Sequence, residues 1–163
     1  LKRLPFLKTG ILIVATAFGL GLAPVASGTF GALPGLLIVW LLTSCWKLPL
    51  FWFIIIAAVL AAVSIPICDV AEKHFKQKDD RRIVADEMLT FPICMIALPP
   101  EPLMLAIAFA ISRAFDIIKP PPARASQSLK GGLGITIDDV IANIYALFLN
   151  HIVFWILKSK GLI

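Results

Sequence analysis

An all-α, membrane-embedded fold of compact, partly broken helices is what this sequence predicts, and three observations carry the prediction. The 163-residue chain is 60% hydrophobic with a mean hydropathy of +0.94, whereas soluble globular chains are about 45–50% apolar. Its apolar residues fall into long runs, and two of these, Leu48 to Cys68 and Val140 to Leu157, have the length that a bilayer-crossing helix needs. The other runs are cut by glycine and proline into pieces too short to cross alone, a pattern tolerated at membrane depth where the backbone is buried in protein or lines a polar cavity. One domain over residues 1–163 is expected.

Leu1 to Lys8 carries Lys2, Arg3 and Lys8, a basic flank. It leads into an apolar run with no small-residue cleavage site, so no cleavable signal peptide is expected; the first residue is not Met, so a few residues are expected to precede it. The run Ile11 to Leu22 is about 12 residues, short of the ~30 Å hydrocarbon core. It breaks at Gly19, Gly21 and Pro24 into a loop reaching Gly31, and a second apolar piece, Ala32 to Cys45, follows. No charge occurs between Lys8 and Lys47, so this part reads as a broken or re-entrant element. In Leu48 to Cys68, Trp52 suits an interface and Pro66 marks the expected exit. A polar loop, Asp69 to Arg82, comes next. Met88 to Leu98 is a short run interrupted by Pro92; Leu103 to Ile118 is a helix stopped by Pro120-Pro121-Pro122. A glycine-rich turn, Gly131 to Gly134, then leads to Asp138 and Asp139 at the expected start of the last helix.

Basic residues gather in the loops at 69–86 and 119–138, and by the positive-inside rule both face the cytoplasm. That arrangement brings Asp86/Glu87, Arg113/Asp116/Lys119 and Asp138/Asp139 to one membrane surface, which the Ser27-Gly28-Thr29 loop joins if the first element is re-entrant. It also sends Lys158 and Lys160 outside, against the rule. The net charge of +5 reports topology and attraction to anionic lipid rather than nucleic-acid binding, since no interleaving of aromatic and basic residues is present. Cys45, Cys68 and Cys94 are odd in number and far apart, which excludes a full disulfide framework and suits small core residues.

The chemistry lies in the acids. Of ten, five (Asp86, Glu87, Asp116, Asp138 and Asp139) sit at or within apolar helix ends, and ionisable groups there mark function by default. Carboxylates from separate elements suit Mg²⁺, a hard cation that takes oxygen ligands together with substrate phosphate. Arg113, Asp116 and Lys119 are spaced three apart on one side of a helix. There the two cations can clamp phosphate oxygens while Asp116 binds metal or orients Arg113. Backbone N–H groups at Gly28-Thr29 and at Gly131-Gly132 can serve the same anion. Each piece also has an ordinary reading. Arg113 and Asp116 make a structural ion pair, Asp138 a helix cap with Asp139 its neighbour, Asp86-Glu87 a solvated helix start, and the glycines a turn. His74 and His151 read as surface and packing residues. Other phosphatase chemistries lack their residues: no cysteine has Arg six positions on, no Asp-x-Asp occurs, and two histidines in these settings furnish no nucleophile pair. Water activated by a metal remains the simplest hydrolytic route.

Four pieces in order resemble the phosphatidylglycerophosphatase A family. They are Gly19-Leu20-Gly21-Leu22-Ala23-Pro24 with Ser27-Gly28-Thr29-Phe30-Gly31, then Ala85-Asp86-Glu87, then Arg113-Ala114-Phe115-Asp116-Ile117-Ile118-Lys119-Pro120, and last Gly131 to Asp139. The resemblance implies an all-α, Mg²⁺-dependent phosphomonoesterase of the bacterial inner membrane, converting phosphatidylglycerophosphate to phosphatidylglycerol. It implies acidic site positions at Asp86, Glu87, Asp116, Asp138 and Asp139, with Arg113 and Lys119 on the phosphate side. The chain departs from the family pattern where Ser27 replaces a usual proline, Ala85 a frequent tryptophan and Asn143 a glycine; none of these removes a charge. Two readings from other classes stand beside it. A small transporter or channel component would use broken helices and buried acids as an ion path, although no inverted repeat is visible. A purely structural membrane subunit would leave the five acids without a purpose.

Overall fold

The computed structural model describes residues 4–126 and 128–163, and all regular structure among them is helical. Lys2 and Arg3 of the expected basic flank lie outside the described residues. Helix α1 is Leu4–Ala15, α2 Ser27–Trp40, α3 Leu50–Phe75, α4 Ala85–Thr90, α5 Pro102–Ile118, α6 Ala123–Ser126 and α7 Gly132–Ser159. Three stretches are long and apolar enough to cross a bilayer: Ser27–Cys45, Leu50–Phe75 and Gly132–Ser159.

The first break falls where glycine and strained backbone place it. Ala17, Phe18 and Gly19 all have positive φ, and the Thr16 hydroxyl donates to the Leu12 and Ile13 carbonyls to close α1. The expected loop is shorter than its composition suggests: Ser27 to Gly31 already form the first turn of α2. That helix carries Pro34 inside it and widens into a single π-type turn, Leu41–Cys45, so the two pieces make one continuous span. A second difference concerns Pro66, which lies inside α3 rather than at its exit. The lost backbone bond is tolerated because α3 packs against α1, α4 and α7. The helix therefore runs on through Phe75, and the first seven residues of the expected polar loop are helical. Its end is closed by Lys76 in the left-handed region, whose N–H donates to the Glu72 carbonyl.

Helix α7 is the axis of the bundle, packing on α3, α4, α5 and α6. Apart from Ile135, its buried face is small or polar, including Gly132, Gly134, Thr136, Asp139, Ala142, Asn143, Ala146 and Asn150. Its outer face carries Phe148, Ile152 and Trp155. Helix α3 follows the same plan, burying Ala57, Ala61, Ser64, Cys68 and Ala71, with Phe53 the one bulky buried residue among those described, while exposing Phe51, Trp52 and Val63. Bulky apolar residues outside and small ones inside suit lipid as solvent, where close backbone approach rather than hydrophobic burial draws helices together. The Ser64 and Thr136 hydroxyls, 2.8 Å apart, pair α3 with α7. Helix α4 continues through a tighter helical segment, Phe91–Met95, whose five residues are all buried. This piece is too short to cross and apolar all round, so it is packed inside the bundle. All three cysteines are free; Cys68 and Cys94 are core residues as expected, whereas Cys45 is exposed.

The helix directions give the molecule two distinct ends. Helices α2 and α7 begin, and α3 and α5 finish, at the end where Gly28 meets α4, Gly132 meets α3 and Lys119 meets Asp138. The other end holds Lys47, the start of α3 and the finish of α7. Trp46, Trp52 and Trp155 lie exposed near that end, as an interfacial aromatic belt does.

Candidate active site

Three helices, α4, α5 and α7, deliver the site's charge to the first end. Asp86 and Glu87 occupy the first turn of α4, where the unpaired N–H groups and the dipole favour carboxylates. The Val84 N–H donates to the Ala15 carbonyl at 2.9 Å, and the Val84 side chain fills the space that a Cβ on Gly31 would take, so α4 is held against both α1 and α2. Asp138 and Asp139 are not at a helix start. Helix α7 begins at Gly132, which places both aspartates nearly two turns inside it. The helix starts early because a Cβ on Gly132 would lie 1.9 Å from the Ile65 carbonyl oxygen, so only glycine lets α7 and α3 approach there.

The acids converge. One carboxylate oxygen from each of Asp86, Glu87 and Asp139 lies within 4.8 Å of the other two. Asp116 stands within hydrogen-bonding reach of Asp139. The Arg113 Nη2 is 2.7 Å from Asp116 and 3.8 Å from Glu87, and the Lys119 Nζ is 3.6 Å from Asp116. Lys119 also pairs with Asp138 of α7. The expected single face of Arg113, Asp116 and Lys119 is present, and it is also the ion-paired face of the ordinary reading.

Asp86, Asp138 and Asp139 are buried, and Glu87, Arg113 and Asp116 are nearly so. Five carboxylates share two cations, Arg113 and Lys119, an excess of negative charge that low-dielectric surroundings punish. Burial, then the neighbouring Glu87, pushes the Asp86 carboxyl well above its ordinary range. Burial raises Glu87 to about 7 against the opposing pull of Arg113. Asp86 Oδ1, Glu87 Oε2 and Asp139 Oδ2 are buried with no hydrogen-bond partner among the described residues. One orphaned oxygen on each of three converging carboxylates is costly in an empty cluster and suited to a hard divalent cation. The donor set fits a metal.

Of the glycine turns, one joins the acids. A Cβ on Gly28 would lie 2.4 Å from Glu87 Oε1 and 2.7 Å from Arg113 Nη2, so the first turn of α2 abuts the site, with Thr29 half-buried beside it. Ser27 is turned away, its hydroxyl donating to the Arg81 carbonyl at 2.7 Å. Gly131 and Gly132 lie against α3, beside the Asp69 carboxylate and the Ile65 carbonyl. His151 packs its Nε2 3.0 Å from the Ile96 carbonyl oxygen, as a packing residue does.

Other polar residues were not singled out as site residues in the sequence, Asn143 being named only as a departure from the family pattern. Asp79 lies in the loop between α3 and α4, and its charge bears on both Asp86 and Asp138. With Lys78, Gly134 and Ile135 it lines a cavity of about 280 Å³ one turn of α7 from the aspartates. Thr90, Ser112 and Asn143 form a buried network around the site. Their spacing of four residues from Asp86, Asp116 and Asp139 is the signal that would have found them.

The profile of the phosphatidylglycerophosphatase A family matches residues 13–154. A phosphatidylglycerophosphatase A of Haemophilus influenzae is 34% identical over 160 residues, covering 96% of each chain. The Escherichia coli K12 phosphatidylglycerophosphatase A is 31% identical over 134 residues, 81% of this chain and 76% of its own. A Bacteroides thetaiotaomicron protein named "Putative phosphatidylinositol-3-phosphatase" is 33% identical over 173 residues, covering 96% of this chain and 99% of its own. No solved structure matches the chain.

Proposed function

The chain belongs to the phosphatidylglycerophosphatase A family, and from that premise we propose that it hydrolyses the terminal phosphomonoester of phosphatidylglycerophosphate, with Mg²⁺, at the cytoplasmic face of the bacterial inner membrane. The observation that carries the chemistry is the convergence of Asp86, Glu87 and Asp139, each with an unpartnered buried oxygen, beside Arg113 and Lys119. A single domain, residues 1–163, performs it.

Asp86, Glu87 and Asp139 would hold the Mg²⁺, with Asp116 and Asp138 at its margin. Bound there, the ion supplies charge neutralisation for the phosphate and a lowered pKa for water. Arg113 and Lys119 neutralise the charge on the phosphoryl oxygens, exchanging part of their pairing with Asp116 and Asp138 for the substrate. Gly28 leaves room beside Glu87 and Arg113 for the phosphate to approach. In the reaction a water oxygen bonds to phosphorus and the phosphorus–oxygen ester bond breaks. The released glycerol oxygen takes a proton, leaving phosphatidylglycerol and inorganic phosphate.

The setting suits a lipid. An apolar groove of about 580 Å³, with Leu22, Pro24, Val25 and Phe30 among its walls, lies at the entry to α2, its walls flanking Gly28 in the chain at Val25 and Phe30. Acyl chains remaining in the bilayer would pass there while the headgroup reaches the acids. Lys73, Lys76, Lys78, Arg81, Arg82, Arg124 and Lys130 gather at the site's end, which supports the cytoplasmic orientation. Lys47, Lys158 and Lys160 lie at the other. The name of the Bacteroides relative favours a second substrate, phosphatidylinositol 3-phosphate, acted on by the same chemistry.

The test is phosphate release by the detergent-purified chain from each lipid, with Mg²⁺ and with chelator. Mg²⁺-dependent release from phosphatidylglycerophosphate, lost in folded Asp86→Asn and Asp139→Asn, is expected. Release from the inositol lipid alone would reassign the substrate, and no release from either would end the phosphatase reading.

A further inference from the structure

A second polar layer lies beneath the acids and repeats them one helical turn away. Thr90 follows Asp86 by four residues on α4, Ser112 precedes Asp116 by four on α5, and Asn143 follows Asp139 by four on α7. Positions four apart share a helix face, so each of the three sits directly under a carboxylate of the site. They are buried, with relative exposures of 0% for Thr90, 5% for Ser112 and 3% for Asn143.

Their hydrogen bonds join the three helices in one direction. The Thr90 hydroxyl donates to the Asp86 carbonyl at 2.7 Å. The Asn143 Nδ2 donates to Thr90 Oγ1 at 3.0 Å and to the Asp139 carbonyl at 3.0 Å. The Ser112 hydroxyl donates to Asn143 Oδ1 at 2.7 Å. A carbonyl only accepts, so Thr90 must give its proton to Asp86 and accept from the amide. That orients the amide, whose oxygen must then accept from Ser112. The network has one consistent arrangement, and its two anchors are the backbone carbonyls of Asp86 and Asp139.

We propose that Asn143, with Thr90 and Ser112, is a positioning network that sets the separation and rotation of α4, α5 and α7 so that Asp86, Glu87 and Asp139 hold a divalent cation. This rests on the reading of those acids as the metal site. Carboxylates forced together repel and push their helices apart. Apolar contact would resist separation but not rotation or axial slip, whereas directional bonds in a low-dielectric interior resist all three.

The test uses the full chain in detergent and Mn²⁺ alone as probe, its binding followed by the loss of the free-ion paramagnetic resonance signal. Thr90→Val keeps the side chain's shape and removes the hydroxyl; Thr90→Ser keeps the hydroxyl and removes a methyl; Asn143→Leu removes the amide. Partners behind metal ligands typically contribute about 10–100-fold in affinity, so Thr90→Val and Asn143→Leu are expected to weaken Mn²⁺ binding by that order. Thr90→Ser stays near the parent. Packing alone predicts the opposite order for the two Thr90 variants, and that pair decides the matter even if Asn143→Leu does not fold. Parental affinity in folded Thr90→Val, an equal loss in Thr90→Ser, or a parent that binds no Mn²⁺ would each overturn the proposal. Phosphate release, measured beside it, reports separately: the expected order of Mn²⁺ affinities in a chain that hydrolyses neither lipid would leave the network standing and remove the substrate reading.

Discussion

Gly28 of α2 stands so close to Glu87 of α4 that a Cβ on the glycine would lie 2.4 Å from Glu87 Oε1. The same atom would lie 2.7 Å from Arg113 Nη2, so one backbone position separates an acid from a phosphate-side cation. Both threatened atoms are the ends of flexible side chains, which can move without unfolding the protein. Gly28→Ala is therefore expected to melt near the parent temperature while losing about 100-fold in kcat/KM, the scale of a misplacement of about 1 Å. A variant with parental activity would remove Gly28 from the site.

Arg113 makes its two ion pairs through Nη2, to Asp116 and to Glu87. Lysine keeps the charge but has a point donor in place of a planar fork. Arg113→Lys is expected to lose about 10²–10³-fold in kcat, the scale for one lost transition-state donor, with Mg²⁺ dependence retained. Steady-state kinetics with varied Mg²⁺ checks it, and near-parental kcat would reduce Arg113 to a source of charge alone.

Gly132 is a different kind of glycine, since its neighbours are the Ile65 carbonyl and the Asp69 N–H of the α3 backbone. Neither can step aside without moving a helix. Gly132→Ala is expected to destabilise the fold by about 1–3 kcal/mol, the scale of overpacking, seen as a lower melting temperature in detergent. Unchanged melting would mean that α7 and α3 are free to separate.

Asp80 is buried in the loop before α4, accepting from the Arg82 backbone at 3.0 Å and from its guanidinium at 2.8 Å and 2.7 Å. Those bonds hold its carboxyl below the ordinary range. A depressed folded pKa means stability present above the unfolded value, about 3.9, and lost as pH falls through the folded one. Asp80→Asn is expected to melt lower than the parent at pH 7, with the gap closing below about pH 4. A gap independent of pH would show that the contribution is not ionic.

Much of this could be read from residue types. Runs of apolar residues announced α3 and α7, and charge at their ends announced a site, because lipid admits neither exposed backbone nor stray ions. Even the triad Arg113, Asp116, Lys119 was visible, since three-residue spacing on a helix is geometry that the chain carries locally. Pro66 and the Asp138-Asp139 pair were misplaced for one shared reason. Whether proline ends a helix, and where α7 begins, depends on neighbours: α3 and α7 pack at Ile65, Gly132 and Asp69, and that contact sustains both helices past their local stop and start signals.

What the sequence by itself determined is the inventory and its solvent: helices for a bilayer, five acids and two cations near their ends, and glycines where backbones meet. Only the tertiary structure decided that Asp86, Glu87 and Asp139 share one space, that Gly28 joins them while Gly132 does not, and that Thr90, Ser112 and Asn143 lie beneath. The physical reason is that local pattern fixes which face a residue takes on its own helix. The rotation and axial height of one helix against another follow from close packing and buried hydrogen bonds between residues distant in the chain.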